Sequence, residues 1–397
     1  MPNLTLYHLT PHGPFHLSLR GVGQEKTEIY LPSDSLFAAL LAAHVEAGGK
    51  ADDLVRTFPH SQDSDSSETK IDNLTVPFLL TSTFPRAGNL RFYPVPPSLT
   101  FLISAAKLTK LEEEGRLKEV KKIQFLSEGL FQKMVNGERL DDWLPTQDKP
   151  QPTDRGLYLQ GNSLWLMADE AKHLPEAAPK EKDLARLYRA LRQFKIWQVN
   201  ETPRVTIDRL SNASEIYYTG RVTFSPECGW WFGLAWNQPE AVVGQDGQTM
   251  RQVVTQALNL LADAGLGGER VAGYGHFCWQ EQTESRAWPD PTSGDLFLTL
   301  SRYHPEQAEL PNMIRADLAA YKLISVGGWL GSPIEKAQRR RRLWLIAEGS
   351  VLRAAGRHPW GDIVDVRPIY PGVETEFSHP VWRYGLACPV QLTRPDA

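Results

Sequence analysis

The stretch MRQVVTQALNLLADAGLGGERVAGYGHFCWQ (residues 250–280) carries the change of pattern that decides the fold of this chain. Val253, Val254, Ala257, Leu258, Leu260 and Leu261 recur at helical spacing and predict an amphipathic helix packed on a sheet, with Gly265 as its stop. A glycine-dense turn then runs into a strand. Upstream, PRVTIDRLSNASEIYYTGRVTF (203–224) has two β-rich arms around the turn-forming Ser211-Asn212, and GWWFGLAW (229–236) continues as a strand. Further out, NLTLYHLT (3–10), HLSLR (16–20) and TVPFLLTSTF (75–84) read as strands. Ser33-Asp34 opens the apolar run SLFAALLAAHVEAGG, with Ser33 or Asp34 as the expected N-cap and Gly48 as the stop. Residues 105–135 and LARLYRALRQFKIW carry helical spacing. The order strand, helix, strands, helix, strand is that of a ferredoxin-like split βαβ unit.

Beyond residue 295 the order repeats in compressed form: LFLTLSRY (296–303), a helical piece over Arg315–Tyr321, LISVGGWLGS, RRRRLWLIAEGSV and RYGLACPVQ. The expectation is an α+β protein of two ferredoxin-like (RRM-related) domains, residues 1–283 with insertions and residues 295–397, joined through the linker-like ESRAWPDPTSG (284–294). Two polar stretches without periodicity, 59–72 and 145–154, read as exposed loops.

The 397 residues suit two to three domains at about 150 residues each. Hydrophobic residues at 41% against 23% charged fit a folded globular chain. Lys+Arg 43 against Asp+Glu 47 leaves a net charge of -4, so a nucleic-acid site has to be local rather than spread over the surface. No apolar run reaches the roughly 18 residues of a membrane span, and the first residues lack a basic region with an apolar core, so a cytoplasmic protein without membrane contact is expected. Cys228, Cys278 and Cys388 form no CxxC pair, and the ten histidines show no HExxH or HxH spacing. No metal and no cofactor are expected.

Gly265, Gly267, Gly268, Gly273 and Gly275, with Arg270 and Tyr274 among them, are the strongest local signal. Glycines let backbone N–H groups approach a phosphate chain, while arginine supplies charge and tyrosine a stacking face. A tight helix-to-strand connection would need the same glycines, and composition leaves both readings open. GK[ST] is missing, and the loop follows a helix and precedes a strand, so it is neither a Walker loop nor a dinucleotide fingerprint. Arg339–Arg342, with Trp344 and Gly327, Gly328 and Gly331, form a second basic and aromatic cluster; in a strand at most two of the four arginines share a face. Arg204, Arg209 and Arg221 give the hairpin cationic arms. His16 and His276 are the only histidines placed to serve a metal-independent ribonuclease, and no acid–base partner is identifiable for either. Ser332 and Ser350 lack a GxSxG elbow.

Taken together, GLGGERVAGYGHF after an amphipathic helix resembles the signature loop of the RAMP superfamily of CRISPR effector proteins. YLPSDSLFAALLAAH (30–44), LRFYPVPPS (90–98), PRVTIDRLSNASEIYYTGRVTF (203–224), GSPIEKAQRRRRLWLIAEGSVL (331–352) and HPVWRYGLACPV (379–390) narrow the resemblance to the fourth subunit of type III-A (Csm) complexes. It spans nearly the whole chain. The resemblance implies two ferredoxin-like domains with a protruding β-hairpin thumb and a non-catalytic role in gripping the 5′ handle of the CRISPR RNA. It also implies docking to the large polymerase/cyclase subunit and to the first backbone RAMP subunit, in the service of antiviral defence. The implied handle-binding elements are the glycine loop 265–275, the Arg204–Arg209 segment, and the Gly327–Gly331 turn with Arg340. The sister activity in the superfamily, endonucleolytic processing of precursor CRISPR RNA through His16 or His276, is the alternative.

Overall fold

A computed structural model of the chain describes residues 3–17, 26–60, 76–145, 155–207, 214–314, 317, 319–330, 338–356, 358–369, 377 and 379–395. Its centre is a nine-stranded mixed sheet. The order is Phe277–Arg286, Leu4–Pro11, Cys228–Trp236, Phe84–Ala87, Leu90–Pro94, Phe125–Ser127, Leu164–Met167 and Gly156–Leu159, with Phe78–Leu80 also paired to the central strand. Neighbours are antiparallel except Phe125–Ser127 beside Leu164–Met167. Cys228–Trp236 is apolar on both faces and is buried along eight of its nine residues, the pattern of a strand covered on both sides.

Two helices cover one part of this sheet and pack on each other. Met250–Ala264 buries Met250, Val253, Val254, Ala257, Leu258 and Leu261, the stripe that the spacing predicts, and begins with a Thr249–Gln252 capping box. Ser33–Glu46 is buried nearly all round. Its start differs from the expectation: Pro32 is the N-cap, and Ser33 and Asp34 lie inside the first turn, fully buried. Their side chains are used elsewhere. Ser33 Oγ accepts the Arg302 backbone N–H at 2.9 Å, and the Asp34 carboxylate accepts from the Arg302 guanidinium at 3.0 Å.

That contact joins the first part of the chain to the second. Leu296–Thr299 pairs with Val351–Arg353 and Pro389–Leu392 in a three-stranded sheet. Leu298, Leu300, Val351, Tyr384 and Leu386 belong to the same continuous core as Leu6, Phe37 and Trp231. A smaller core, with Phe297 stacked on Trp360 at 4.7 Å, lies behind this sheet. The linker expected over 284–294 is displaced. Residues 284–286 are still strand, paired with Leu4 and Thr5, and Trp288 is buried against Tyr93 and Phe131, so the connection is anchored.

Other expectations shift for local reasons. Residues 105–135 break into helices Ala105–Glu113, Leu117–Val120 and Glu128–Val135, because Gly115 takes a left-handed conformation and Phe125–Ser127 is drawn into the sheet. The hairpin begins six residues before Pro203: Trp197–Ile207 pairs with Ser214–Phe224, and Ser211-Asn212 lies outside the described residues. In the second part, a helical turn is formed by Leu310–Met313 and Ala320 is bridged to Val351, while residues 315, 316 and 318 of the expected helical piece lie outside the described residues. The polar segments 61–75 and 146–154 lie outside the described residues.

Candidate nucleic-acid interface

The helix Met250–Ala264 ends at Gly265, and the chain must return to the sheet within a dozen residues, to begin Phe277–Arg286. It does so over a platform made by residues 12–17. His12 N–H donates to His276 O at 2.9 Å, Gly275 N–H to Pro14 O at 3.0 Å and Gly268 N–H to His16 O at 2.9 Å. The same platform holds the base of the long hairpin: Phe15 and Val222 exchange both backbone hydrogen bonds, and His16 Nδ1 lies 2.7 Å from Gly220 O. Glycine loop, N-terminal segment and hairpin are therefore one unit, tied mainly by main-chain bonds.

Within this unit the five glycines divide. Gly275 has φ +91, and a Cβ there would stand 2.5 Å from Leu266 O, so both conformation and packing exclude a side chain. Gly265 and Gly267 likewise face the backbone oxygens of Tyr274 and His16 at 2.9 and 2.6 Å. Gly268 has no positive φ, and a Cβ there would meet the His16 ring at 2.8 Å. Gly273 is different: φ is +80, and nothing lies within 4 Å of a Cβ. It closes the single turn Arg270–Ala272, whose residues are exposed and whose Val271 projects fully into solvent.

Tyr274, expected to offer a stacking face, is buried at 6% exposure, and the Arg204 guanidinium lies over its ring at 5.6 Å. Arg204 thus brings the hairpin onto the loop. The hairpin is two-faced. Val199, Val205, Ile216 and Tyr218 project outward and are exposed, while Thr202, Arg204, Thr219 and Arg221 occupy the other face and are wholly or partly buried. Among the described residues the Thr202 and Thr219 hydroxyls and the Nε atoms of Arg204 and Arg221 have no hydrogen-bond partner. Buried donors without partners cost free energy, about 1–3 kcal/mol each. The two threonines are the residues that sequence reasoning missed; strand alternation beside Arg204 and Arg221 is the signal that could have found them.

The second expected group has other neighbours. Strands Leu323–Val326 and Leu343–Ile346 pair, and Trp329–Leu330 pairs with Gln338–Arg339, forming a two-stranded ribbon. Arg340–Arg342 lie between its strands, so the alternation expected for the four arginines does not apply. Arg340 N–H donates to Gly328 O at 3.0 Å and its guanidinium to Gly327 O at 2.7 Å. Burial, with Arg383 and Arg302 nearby, pushes the Arg340 guanidinium down to about 10. Arg340 is therefore a support within the ribbon, whose neighbours are the Asp34–Arg302 junction rather than the glycine loop. Arg209 and Gly331 lie outside the described residues.

Of the histidines, His16 is buried at 4% exposure, and its ring serves the platform. Burial pushes the Cys228 and Cys388 thiols up to about 12, and Cys278 is exposed. Among the described residues no three His, Cys, Asp or Glu side chains could hold a metal, and no helix is long and apolar enough to cross a membrane.

Comparisons with known proteins converge. Residues 292–392 match the family described as CRISPR Csm4 C-terminal domain. Over 282 residues, 68% of this chain and 85% of the relative, the sequence is 26% identical to the CRISPR system Cms protein Csm4 of Thermococcus onnurineus (strain NA1). The fold is similar to a chain in the crystal structure of the Csm3–Csm4 subcomplex of a type III-A CRISPR-Cas interference complex, with TM-score 0.57, 16% identity and coverage of 98% and 99% of the two chains. It is also similar to a chain in the Csm1–Csm4 cassette in complex with cA4, with TM-score 0.51, 17% identity and full coverage of both. The C-terminal sequence match, the relative aligned over two thirds of the chain and the shared fold agree: residues 292–392 match the Csm4 C-terminal domain family, and the chain as a whole is similar to Csm4 proteins of type III CRISPR complexes.

Proposed function

We propose that this protein is the non-catalytic subunit of a type III-A effector complex that grips the 5′ handle of the CRISPR RNA, acting in the cytoplasm in antiviral defence. The observation that carries the reading is the exposed Arg270–Gly273 turn, fixed by main-chain bonds to a hairpin whose polar face holds unpartnered threonine hydroxyls and arginine Nε atoms. A pre-formed set of donors and cations suits a backbone recognised by shape, while guide–target pairing supplies sequence selection. Gly265, Gly267, Gly268 and Gly275 build the turn, Gly273 and Arg270 meet the RNA, and Arg204 with Tyr274 sets the hairpin angle. Gly327, Gly328 and Arg340 shape the neighbouring ribbon.

The chain is read as two ferredoxin-like domains, 1–283 and 295–397, that share a core. The order Phe277–Arg286, Leu4–Pro11, Cys228–Trp236, then Phe78–Leu80 and Phe84–Ala87, with two helices as crossovers, supports the first of them. The long hairpin Trp197–Phe224 is read as the thumb. Relatives in complexes with Csm1 and with Csm3 support docking of this chain to a large Csm1-type subunit and a Csm3-type backbone subunit. Cleavage through His16 gains nothing from the geometry, since its buried ring is committed to Gly220 O. The test is to express the chain with candidate Csm subunits and sequence the RNA that accompanies the purified assembly. RNA with one common repeat-derived 5′ end is expected; assembly without such RNA would remove the handle reading.

A further inference from the structure

Strand Phe277–Arg286, which follows the glycine loop, forms one edge of the large sheet, and Gly156–Leu159 forms the other. Helix Leu184–Gln193 packs beside that second edge. Its sequence is divided: Leu187 and Leu191, one turn apart, join the core, while Arg186 and Arg189 are exposed. Residues 168–183 run as a strap in front of the helix. Between strap and helix lies an open groove of about 680 Å³ with an apolar floor of Leu174, Leu187 and Leu191, and with Pro175 and Ala178 buried beside them. The rim differs in character: Lys172, Lys180 and Lys182 line the groove and all three are exposed. Among the described residues that line it, none is aromatic.

Both walls are fixed by bonds of their own. In the strap, the Glu170 carboxylate accepts the Met167 and Gly129 backbone N–H groups at 2.9 and 2.8 Å, and His173 O accepts the Asn89 N–H at 3.1 Å. A Cβ on Gly88 would stand 2.5 Å from His173 O, so the strap lies tight on the turn between Phe84–Ala87 and Leu90–Pro94. On the helix side, Asp183 is the N-cap, its carboxylate accepting the Arg186 N–H at 2.7 Å. A groove pre-formed in this way loses little conformational freedom when it is filled.

The charge at the groove is in excess and unanswered. Residues 172–195 hold seven Lys and Arg against three Asp and Glu, a net +4 on a chain of net -4. Among the described residues none of Lys172, Lys180, Lys182, Arg186, Arg189 and Arg192 is ion-paired. The two carboxylates of the lining, Glu176 and Glu181, are exposed and leave the lysines in the majority.

We propose that this groove docks an acidic, amphipathic segment of a protein partner, with apolar side chains entering between strap and helix and carboxylates meeting Lys172, Lys180 and Lys182. Apolar anchors set within a charged rim are the chemistry by which a groove takes up a helical segment. RNA also brings anions, but binding of unpaired bases rests on aromatic or guanidinium planes, and this groove offers aliphatic side chains and ammonium groups. The inference stands apart from the handle reading, because the groove and the glycine loop belong to opposite edges of the sheet.

The experiment uses the full chain and a labelled synthetic helical peptide with leucines at i, i+3, i+4 and i+7 and glutamates on its other face, read by fluorescence anisotropy. Binding is expected, and it should be lost when the glutamates are replaced by lysines or the leucines by serines. Lys180→Glu combined with Lys182→Glu should weaken it roughly tenfold, while Lys180→Arg combined with Lys182→Arg should stay within about threefold of the parent. Leu187→Ala should cost roughly fivefold in affinity. Thermal unfolding of each variant separates loss of binding from loss of fold. Failure of the parent chain to bind the peptide, equal binding of either control peptide, or unchanged affinity in the charge-reversed pair overturns the proposal. So does an oligouridine that displaces the peptide from the parent chain and does not bind the charge-reversed pair, since the groove would then be a nucleic-acid surface.

Discussion

The glycine loop and the four-arginine run are both dense, single-residue-type signals, yet they divide in opposite ways when folded. In the loop most of the signal is inward: Gly265, Gly267 and Gly275 admit no side chain because backbone oxygens stand where a Cβ would go, and of the five only Gly273 has open space where a Cβ would go. In the arginine run most of the signal is outward: Arg340 alone turns in to Gly327 and Gly328, while Arg339, Arg341 and Arg342 stay exposed. Residue density therefore marks the place of a surface without telling how many of its members face the ligand. Packing decides that.

The largest effect is expected where the ribbon meets the first helix. Arg302 is buried between Asp34 and Glu348, so Arg302→Met leaves two buried carboxylates without their cation and should cost about 3–5 kcal/mol in urea unfolding. A cost below about 1 kcal/mol would mean that the junction does not hold the two units together. Next comes Gly275→Ala, which combines a left-handed φ with overlap on Leu266 and should cost about 2–4 kcal/mol. Gly273→Ala, with the φ but no overlap, should cost about 1 kcal/mol. Equal losses at the two positions would erase the inward–outward division of the loop. Smallest is Arg342→Ala, expected to change stability by less than about 0.5 kcal/mol, since its exposed side chain supports nothing in the fold.

The parts of the fold that a local pattern determines were legible. The stripe Val253, Val254, Ala257, Leu258 and Leu261 with Gly265 behind it is the observed helix and stop, and the two-sided apolar run GWWFGLAW is the central strand. What could not be read depends on partners far away in sequence. Asp34 looked like a helix cap because its partner, Arg302, lies in the other half of the chain. Trp288 sits amid proline and glycine in a linker-like string, and only the distant Tyr93 and Phe131 make it a buried anchor. In the candidate site, the positions of the loop and of Arg204 were legible. The burial of Tyr274 beneath Arg204 and the polar face of Thr202 and Thr219 follow from strand register, which composition does not fix.

The central claim is that the exposed turn at Arg270 holds guide RNA rather than merely returning a helix to a sheet. Arg270→Glu tests it most directly, because the side chain is exposed at the tip of the turn and reverses a charge without disturbing the glycines beneath it. The measurement is the amount of handle-bearing RNA per purified assembly, taken together with the unfolding midpoint of the free variant. The account predicts a clear loss of RNA with stability within about 0.5 kcal/mol of the parent. Wild-type RNA content in an equally stable variant would contradict it and place the handle elsewhere on the protein.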